Sequence, residues 1–349
     1  MATTRSKSAA KSAKAAAKKA PAKATTKATG GVAKTSKGYS VRTYELPAPD
    51  FDARSASDRE LLHHGFPSRP DSAAEPELRA LWDRAFSRPH TWITPEFIEV
   101  DGKVHGPVAR PRGVTPAVTR GAAPKTVLNA TSTNWSGSVA FAPSGSTYRF
   151  VLGSWTVPNP YAPGYGAFYA SEWVGIDGWG SNDVFQAGTE TQVVKVPIFG
   201  EFRSVYAWWE WFPAGEVAIG NLGVSPGDFM TCLMCVNSST TGTVYFSNLS
   251  TNVSTTFTIT APSGTTLVGN SAEWIVERPT VNGSVASLTD YDVEFFDGCI
   301  AGYSDGRTLG ISSAGSATPV TMTGNGGASL SVPTFEASQL IRLDWKAAN

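Results

Sequence analysis

The chain has 349 residues, of which 41% are hydrophobic and 17% charged, with 34 Gly and 23 Pro. It contains no apolar run of 18 residues, which excludes a membrane-spanning helix, and the dense Gly and Pro argue against long helices beyond residue 120. The formal net charge of zero hides an asymmetry: residues 1–42 carry 11 Lys+Arg and no acid, 43–120 carry 10 basic and 12 acidic residues, and 121–349 carry 8 basic and 17 acidic.

In chain order, residues 1–42 are Lys, Ala, Ser and Thr with almost no large apolar side chain. Such a tail is expected to be disordered, because it cannot bury enough surface to offset its ordering entropy. It has no apolar h-region, so no signal peptide is recognisable. It could hold polyanions weakly by counterion release, without specific nucleic-acid recognition. Residues 43–120 read as a propeptide or packing segment. A short helix is predicted over 75–86, with Leu78, Leu81, Trp82 and Phe86 on one stripe. Ser57 to Glu60 reads as a capping box, and Val114 to Lys125 as a linker.

From residue 121 to 349 the pattern is all-β. Runs rich in Val, Thr, Tyr, Phe and Trp alternate with Gly, Ser, Asn and Pro turns, which predicts an antiparallel sandwich or barrel. Few charges there mean few ion pairs to lose in acid, so acid tolerance is expected. All four histidines, His63, His64, His90 and His105, precede residue 121. The β-region therefore holds no Ser-His-Asp triad, Cys-His pair or His-based zinc site of its own, and no phosphate loop or dinucleotide fingerprint occurs. Cys232 and Cys235 form a CxxC in an apolar run, read as structural, and with Cys299 they allow at most one disulfide.

Carboxylates, amides, hydroxyls and aromatics are left to carry chemistry. Strand alternation places Trp173, Gly175 and Asp177 on one face and Val174 and Ile176 on the other. Likewise Tyr206, Trp208 and Glu210 share a face, with Ala207, Trp209 and Trp211 behind them. Glu273, Ile275 and Glu277 share a face, with Ala272, Trp274 and Val276 behind, and Gln186 opposes Phe185. Side by side, these faces make an aromatic, acidic surface suited to a polymer, unless the tryptophans are core and the carboxylates solvated.

The motifs Asn134-Trp-Ser-Gly137, Trp173-Val-Gly-Ile-Asp-Gly178, Phe185-Gln-Ala-Gly188, Ala207-Trp-Trp-Glu-Trp-Phe-Pro213 and Ala272-Glu-Trp-Ile-Val-Glu277 occur in the order seen in the eqolisins, the glutamic peptidases of family G1. The resemblance covers roughly residues 130–300. It implies a β-sandwich of two antiparallel sheets of the concanavalin A type, and an acid-acting endopeptidase secreted from the cell and needing no metal or cofactor. The catalytic pair it implies is Gln186 and Glu273. Trp173, Asp177, Trp208 and Glu210 match the cleft positions. A monomer acting on polypeptides, with no membrane partner, is expected. An ionised Glu273 can take a proton from water, and Gln186 can donate to the developing oxyanion. Glu277 shares the face of Glu273 and is the competing candidate. Where fungal members place an acid before this Ala-Trp motif, the chain has Tyr206, and its Lys/Ala-rich start is bacterial in character. The family sheds a basic pro-segment, so part of 43–120 is expected to dock on the acidic face until acid releases it.

Two other readings stay open. A lectin-like sandwich would stack sugars on the tryptophan face. A glycosidase would need two carboxylates flanking a sugar bond, for which Asp292 and Glu294 are the best pair.

Overall fold

The computed structural model describes residues 30–87, 90–107, 130–311 and 317–349. Two antiparallel layers face each other. In the first, the hydrogen-bonded order is Phe97–Glu99, Val217–Ile219, Gly200–Phe212, Val184–Val196, Gly166–Ile176, Ser271–Glu277, Trp135–Phe141 and Ala317–Thr323. In the second it is Ser40–Thr43, Val253–Thr260, Thr241–Asn248, Phe229–Ser238, Tyr148–Thr156, Val293–Tyr303, Leu340–Trp345 and Ser329–Ala337. Ser329–Ala337 also pairs with Ala317–Thr323, so the layers are continuous along one side.

Period-two alternation sends one face of every strand into the gap between the layers. Val174, Ile176, Phe185, Ala187, Trp209, Trp211, Ala272, Trp274 and Val276 meet Trp155, Met230, Met234, Phe246, Phe257 and Phe296 there. Trp209 and Trp274 are thus core, as their parity predicted. Burying one Phe or Met completely contributes about 1.5–3 kcal/mol, so this layer is the main source of stability.

The amino-terminal region builds both sheet margins. Ser40–Thr43 extends the second layer and Phe97–Glu99 the first. This corrects the expectation of disorder as far as residue 42. Val32–Lys34 and Ser40–Thr43 pair with each other, and Tyr39 and Val41 are fully buried. The Lys and Ala around them dominate the composition, but Tyr39 and Val41 alternate correctly for a strand and cover an open sheet edge. The rest of that tail, residues 1–29, and the Val114–Lys125 linker lie outside the described residues.

The two predicted helical signals are present. Helix α1, Asp58–His63, starts on the Ser57 capping box. Helix α2, Pro76–Ala85, places Pro at its first turn and buries Leu78, Leu81 and Trp82. Leu61, Phe66, Trp82 and Phe86 pack with Tyr245 on the outside of the second layer. The three cysteines are free, two of them buried, consistent with their structural reading.

Candidate active site

The outer face of the first layer carries three cross-strand rows. In the first, Glu273 and Gln186 both stand directly opposite Gly175, and Glu210 stands opposite Gln186. Two residues along, Ile275, Trp173, Gly188 and Trp208 are aligned, and two further on, Glu277, Ser171, Glu190 and Tyr206. Residues directly opposite in a ladder point to the same side, so the register gathers five of the six predicted site residues. Gly175 leaves the space between Gln186 and Glu273 open. A Cβ there would lie 2.9 Å from the Trp173 ring and 3.1 Å from the Gln186 Cβ.

These side chains are buried except for the half-buried Tyr206, and Lys103-Val-His-Gly-Pro107 lies against Gln186, Glu190, Trp208, Glu210 and Glu277. Lys103–Val104 pairs with Thr280–Val281 at the cleft margin. The His105 ring stacks on Trp208 with centroids 3.7 Å apart and planes 10° from parallel. Its Nε2 is 2.9 Å from Glu216 and 3.9 Å from Glu190, and its Nδ1 is 3.7 Å from Glu277. The His105 backbone N–H donates to Glu210 at 2.8 Å, and the Gln186 side-chain amide donates to the His105 carbonyl. The Asn134 amide reaches the Pro107 carbonyl at 3.4 Å. Two residues before His105, the Lys103 ammonium donates to Glu190 at 3.0 Å and to the Tyr206 hydroxyl at 2.8 Å, between the rings of Tyr169 and Tyr206.

The charges respond to this packing. Burial opposes a charge on His105, but Glu216 and Glu277 outweigh it and lift the imidazole to about 10. Burial likewise opposes the Lys103 charge, and Glu190 and Glu216 restore it. Glu216 is held below the ordinary glutamate range, since Lys103 and His105 together outweigh its burial. Burial raises Glu210 to about 8 and Glu190 to about 7, against the pull of His105 and Lys103. Glu277 is raised by burial too. Glu273 is pushed well up by burial, with the Asp177 charge acting the same way. Neither Glu273 oxygen has a hydrogen-bond partner among the described residues.

Trp173 and Glu277 form a brace, with the indole N–H 2.9 Å from the carboxylate. Trp208 is anchored by its N–H to the Ser171 hydroxyl at 2.9 Å. Asp177 stands apart from the rows. It adopts a positive φ of 72°, and its carboxylate accepts the backbone N–H groups of Val268, Gly269 and Asn270 at 2.7–3.0 Å. Its oxygens therefore tie down the loop that leads into the Glu273 strand.

His105, Glu190 and Glu216 bring ligand-type atoms within 4.8 Å of one another. The Lys103 ammonium and the charged imidazole already supply the positive charge those carboxylates need, so the group does not suit a metal in this arrangement. The carboxylate pair of the glycosidase reading is not assembled. Glu294 points into the core, while Asp292 sits exposed at a turn with φ 60°. Alternation failed there because the strand starts at Val293, one residue after Asp292.

Lys103, His105, Glu190 and Glu216 were not picked out from the sequence. Extending the parity of Gln186 by four residues would have found Glu190. His105 was set aside with the other histidines because it precedes the β-region, yet it is folded into the cleft.

The description "Peptidase A4 family" belongs to the family model that matches residues 133–341. Aspergillopepsin-2 of Aspergillus niger is 30% identical over 205 residues, which cover 52% of this chain and 68% of that protein. Scytalidopepsin B of Scytalidium lignicola is 27% identical over 190 residues, covering 52% of this chain and 67% of its own length. Among solved structures, scytalido-glutamic peptidase with a transition state analog inhibitor superposes with a TM-score of 0.50 at 21% identity, covering 61% of this chain and 98% of that one. That likeness concerns the fold, a β-sandwich.

Proposed function

The chain belongs to the Peptidase A4 family, the glutamic-type endopeptidases, and from that premise we propose that Glu273 and Gln186 hydrolyse internal peptide bonds of polypeptides in acid. The observation that carries this reading is the pair straddling Gly175. The Gln186 amide is already bonded to a peptide carbonyl, and the Glu273 carboxylate stands in the same row with, among the described residues, only the Ser271 hydroxyl nearby to stabilise its charge.

Ionised Glu273 takes a proton from water, which adds to the carbonyl carbon. The Gln186 amide donates to the oxygen as negative charge develops there, an interaction set in place before the reaction begins. The C–N bond then breaks, and Glu273 returns the proton to the leaving nitrogen. Glu210 accepts an N–H of the bound backbone, as it does from His105. Trp173 and Trp208 form the apolar wall, and Asp177 acts as a positioning residue through the 268–270 loop. No step calls for a metal.

In this reading the Phe97–Pro107 stretch is an internal inhibitor. It occupies Gln186 and Glu210, and Glu273 is held protonated by its burial, so the site is silent until the cleft opens. Support comes from the buried contacts of Lys103 and His105, which replace the charge asymmetry as the physical argument for a docked pro-segment.

The test is digestion of denatured protein in acid with a chelator present. Wild type should cleave, and Glu273→Gln and Gln186→Ala should each lose roughly 10²–10³-fold in rate. Full activity in either variant would sink the assignment.

A further inference from the structure

Resting on the proposed roles of Gln186 and Glu273, we infer that the cleft is built to receive cationic side chains, one on the residue that supplies the scissile carbonyl and one two residues before it. The segment Lys103-Val-His-Gly-Pro107 lies as a substrate would. Its backbone is held at three successive points: the His105 N–H by Glu210, the His105 carbonyl by Gln186, and the Pro107 carbonyl by Asn134. The carbonyl on the oxyanion donor belongs to His105, so the bond presented for cleavage is His105–Gly106. Hydrolysis there would add water to the His105 carbon, break the C–N bond and leave the proton on the Gly106 nitrogen.

The two side chains preceding that bond on the cleft side each enter a receptor made for positive charge. His105 has Trp208 against its ring face and carboxylates of Glu216, Glu277 and Glu190 around its edge. Such a flat aromatic floor with an acidic rim suits a guanidinium or imidazolium in particular. Glu190 and Glu216 each keep one buried oxygen without a hydrogen-bond partner among the described residues. A single imidazole does not exhaust the acceptors, and the five N–H donors of an arginine would use them more fully. Lys103 enters the second receptor, formed by Glu190, the Tyr206 hydroxyl and the rings of Tyr169 and Tyr206. Tyr206 takes part in holding a cation by its ring and its oxygen, which gives this position a role in specificity. On the leaving side, Gly106 has Phe212 so close that a Cβ would lie 3.3 Å from its ring, so a small residue is favoured there.

The experiment uses the full chain in acid with peptides that differ only in the residue before the bond: Arg, Lys, His, Gln, Phe and Asp, each followed by Gly. While Glu216 stays ionised, Arg, Lys and His peptides should exceed the Gln peptide in kcat/KM by roughly ten-fold or more, as a buried charge pair commonly provides, and the ratio should shrink as lower pH neutralises Glu216. Glu216→Gln should narrow that ratio by roughly ten-fold, and because the readout is a ratio within one variant, partial loss of folded protein does not disturb it. Mass spectrometry of the acid-treated wild-type chain should find a product beginning at Gly106. Equal rates across the peptides, in an enzyme that Glu273→Gln silences, would overturn the cation receptors and leave the catalytic pair standing. Cleavage unaffected by Glu273→Gln would overturn both.

Discussion

Gln186 and Glu273 stand on the two strands flanking Gly175, and the glycine leaves room between them, a matter of atomic space rather than backbone freedom. Adding one carbon there brings it to 3.1 Å from the Gln186 Cβ, tighter than ordinary contact, so Gln186 must shift. We expect Gly175→Ala to lower kcat, because the added carbon displaces the Trp173 ring and Gln186 together, with circular dichroism still reporting a folded sandwich. A variant with wild-type kcat would show that the side chains act independently of this gap. Asp177 works differently. Its carboxylate satisfies three backbone N–H groups, and Asp177→Ala orphans them. Of the three only the Gly269 N–H is fully buried, and a buried unsatisfied donor costs about 1–3 kcal/mol, so denaturant unfolding should register a loss of about that size. Parity along single strands was enough to place Gln186, Glu210, Trp173 and Trp208 on the reactive face. It could not show that Asp177 turns away, because its left-handed φ breaks the alternation.

Among elements, the Phe97–Pro107 stretch is the one proposed to govern access to the Gln186 and Glu273 row. It is anchored at one end by pairing with Val217–Ile219 and at the other by Lys103 and His105 in the cleft. Replacing both cations by alanine in the full chain should shorten or abolish the lag before acid activity appears, read from progress curves on a labelled polypeptide. An unchanged lag would mean that other contacts keep the cleft closed. The helices were legible because capping boxes and apolar stripes are local signals. The cleft-filling run was not, since Lys-Val-His-Gly-Pro has the composition of an ordinary loop. Its meaning comes from partners more than 80 residues away, such as Glu190 and Glu216.

At the scale of the molecule, acid should stabilise the sandwich. Glu172 lies between the layers, accepting from the Thr189 hydroxyl at 2.9 Å, and burial lifts it to about 8. Glu294, also in the core, is pushed well up by burial, with the Glu172 charge adding to the effect. Glu210 at about 8 and Glu190 at about 7 share that direction. An unfolded glutamate titrates near 4.3, so each raised carboxyl contributes stability that is whole below that value and lost as pH rises through the folded pKa. The melting temperature of the Glu273→Gln variant should therefore fall between about pH 5 and pH 8. A flat or rising profile would contradict the burial of these charges. Glu216 has the opposite sign. Its lowered pKa makes its ion pair with His105 strongest above the ordinary glutamate range and weakest as pH drops below it. The carboxylates that also face His105, Glu190, Glu210 and Glu277, are raised and become neutral sooner, so Glu216 is the last to let go. Acid is thus expected to tighten the sandwich while loosening what fills its cleft.

The sequence by itself determined an all-β domain, the inward-facing Trp209 and Trp274 and the five ordered motifs whose resemblance implied the sandwich, because period-two alternation and local turn chemistry are written in neighbouring residues. It also determined that no histidine of the β-region could act as a base. Only the tertiary structure decided which carboxylates share a row, that Glu294 is core and Asp292 is not, and that His105 rests on Trp208. Those facts depend on strand register and on a segment returning across the sheet. Register is fixed by pairing between distant strands, and no local pattern carries it.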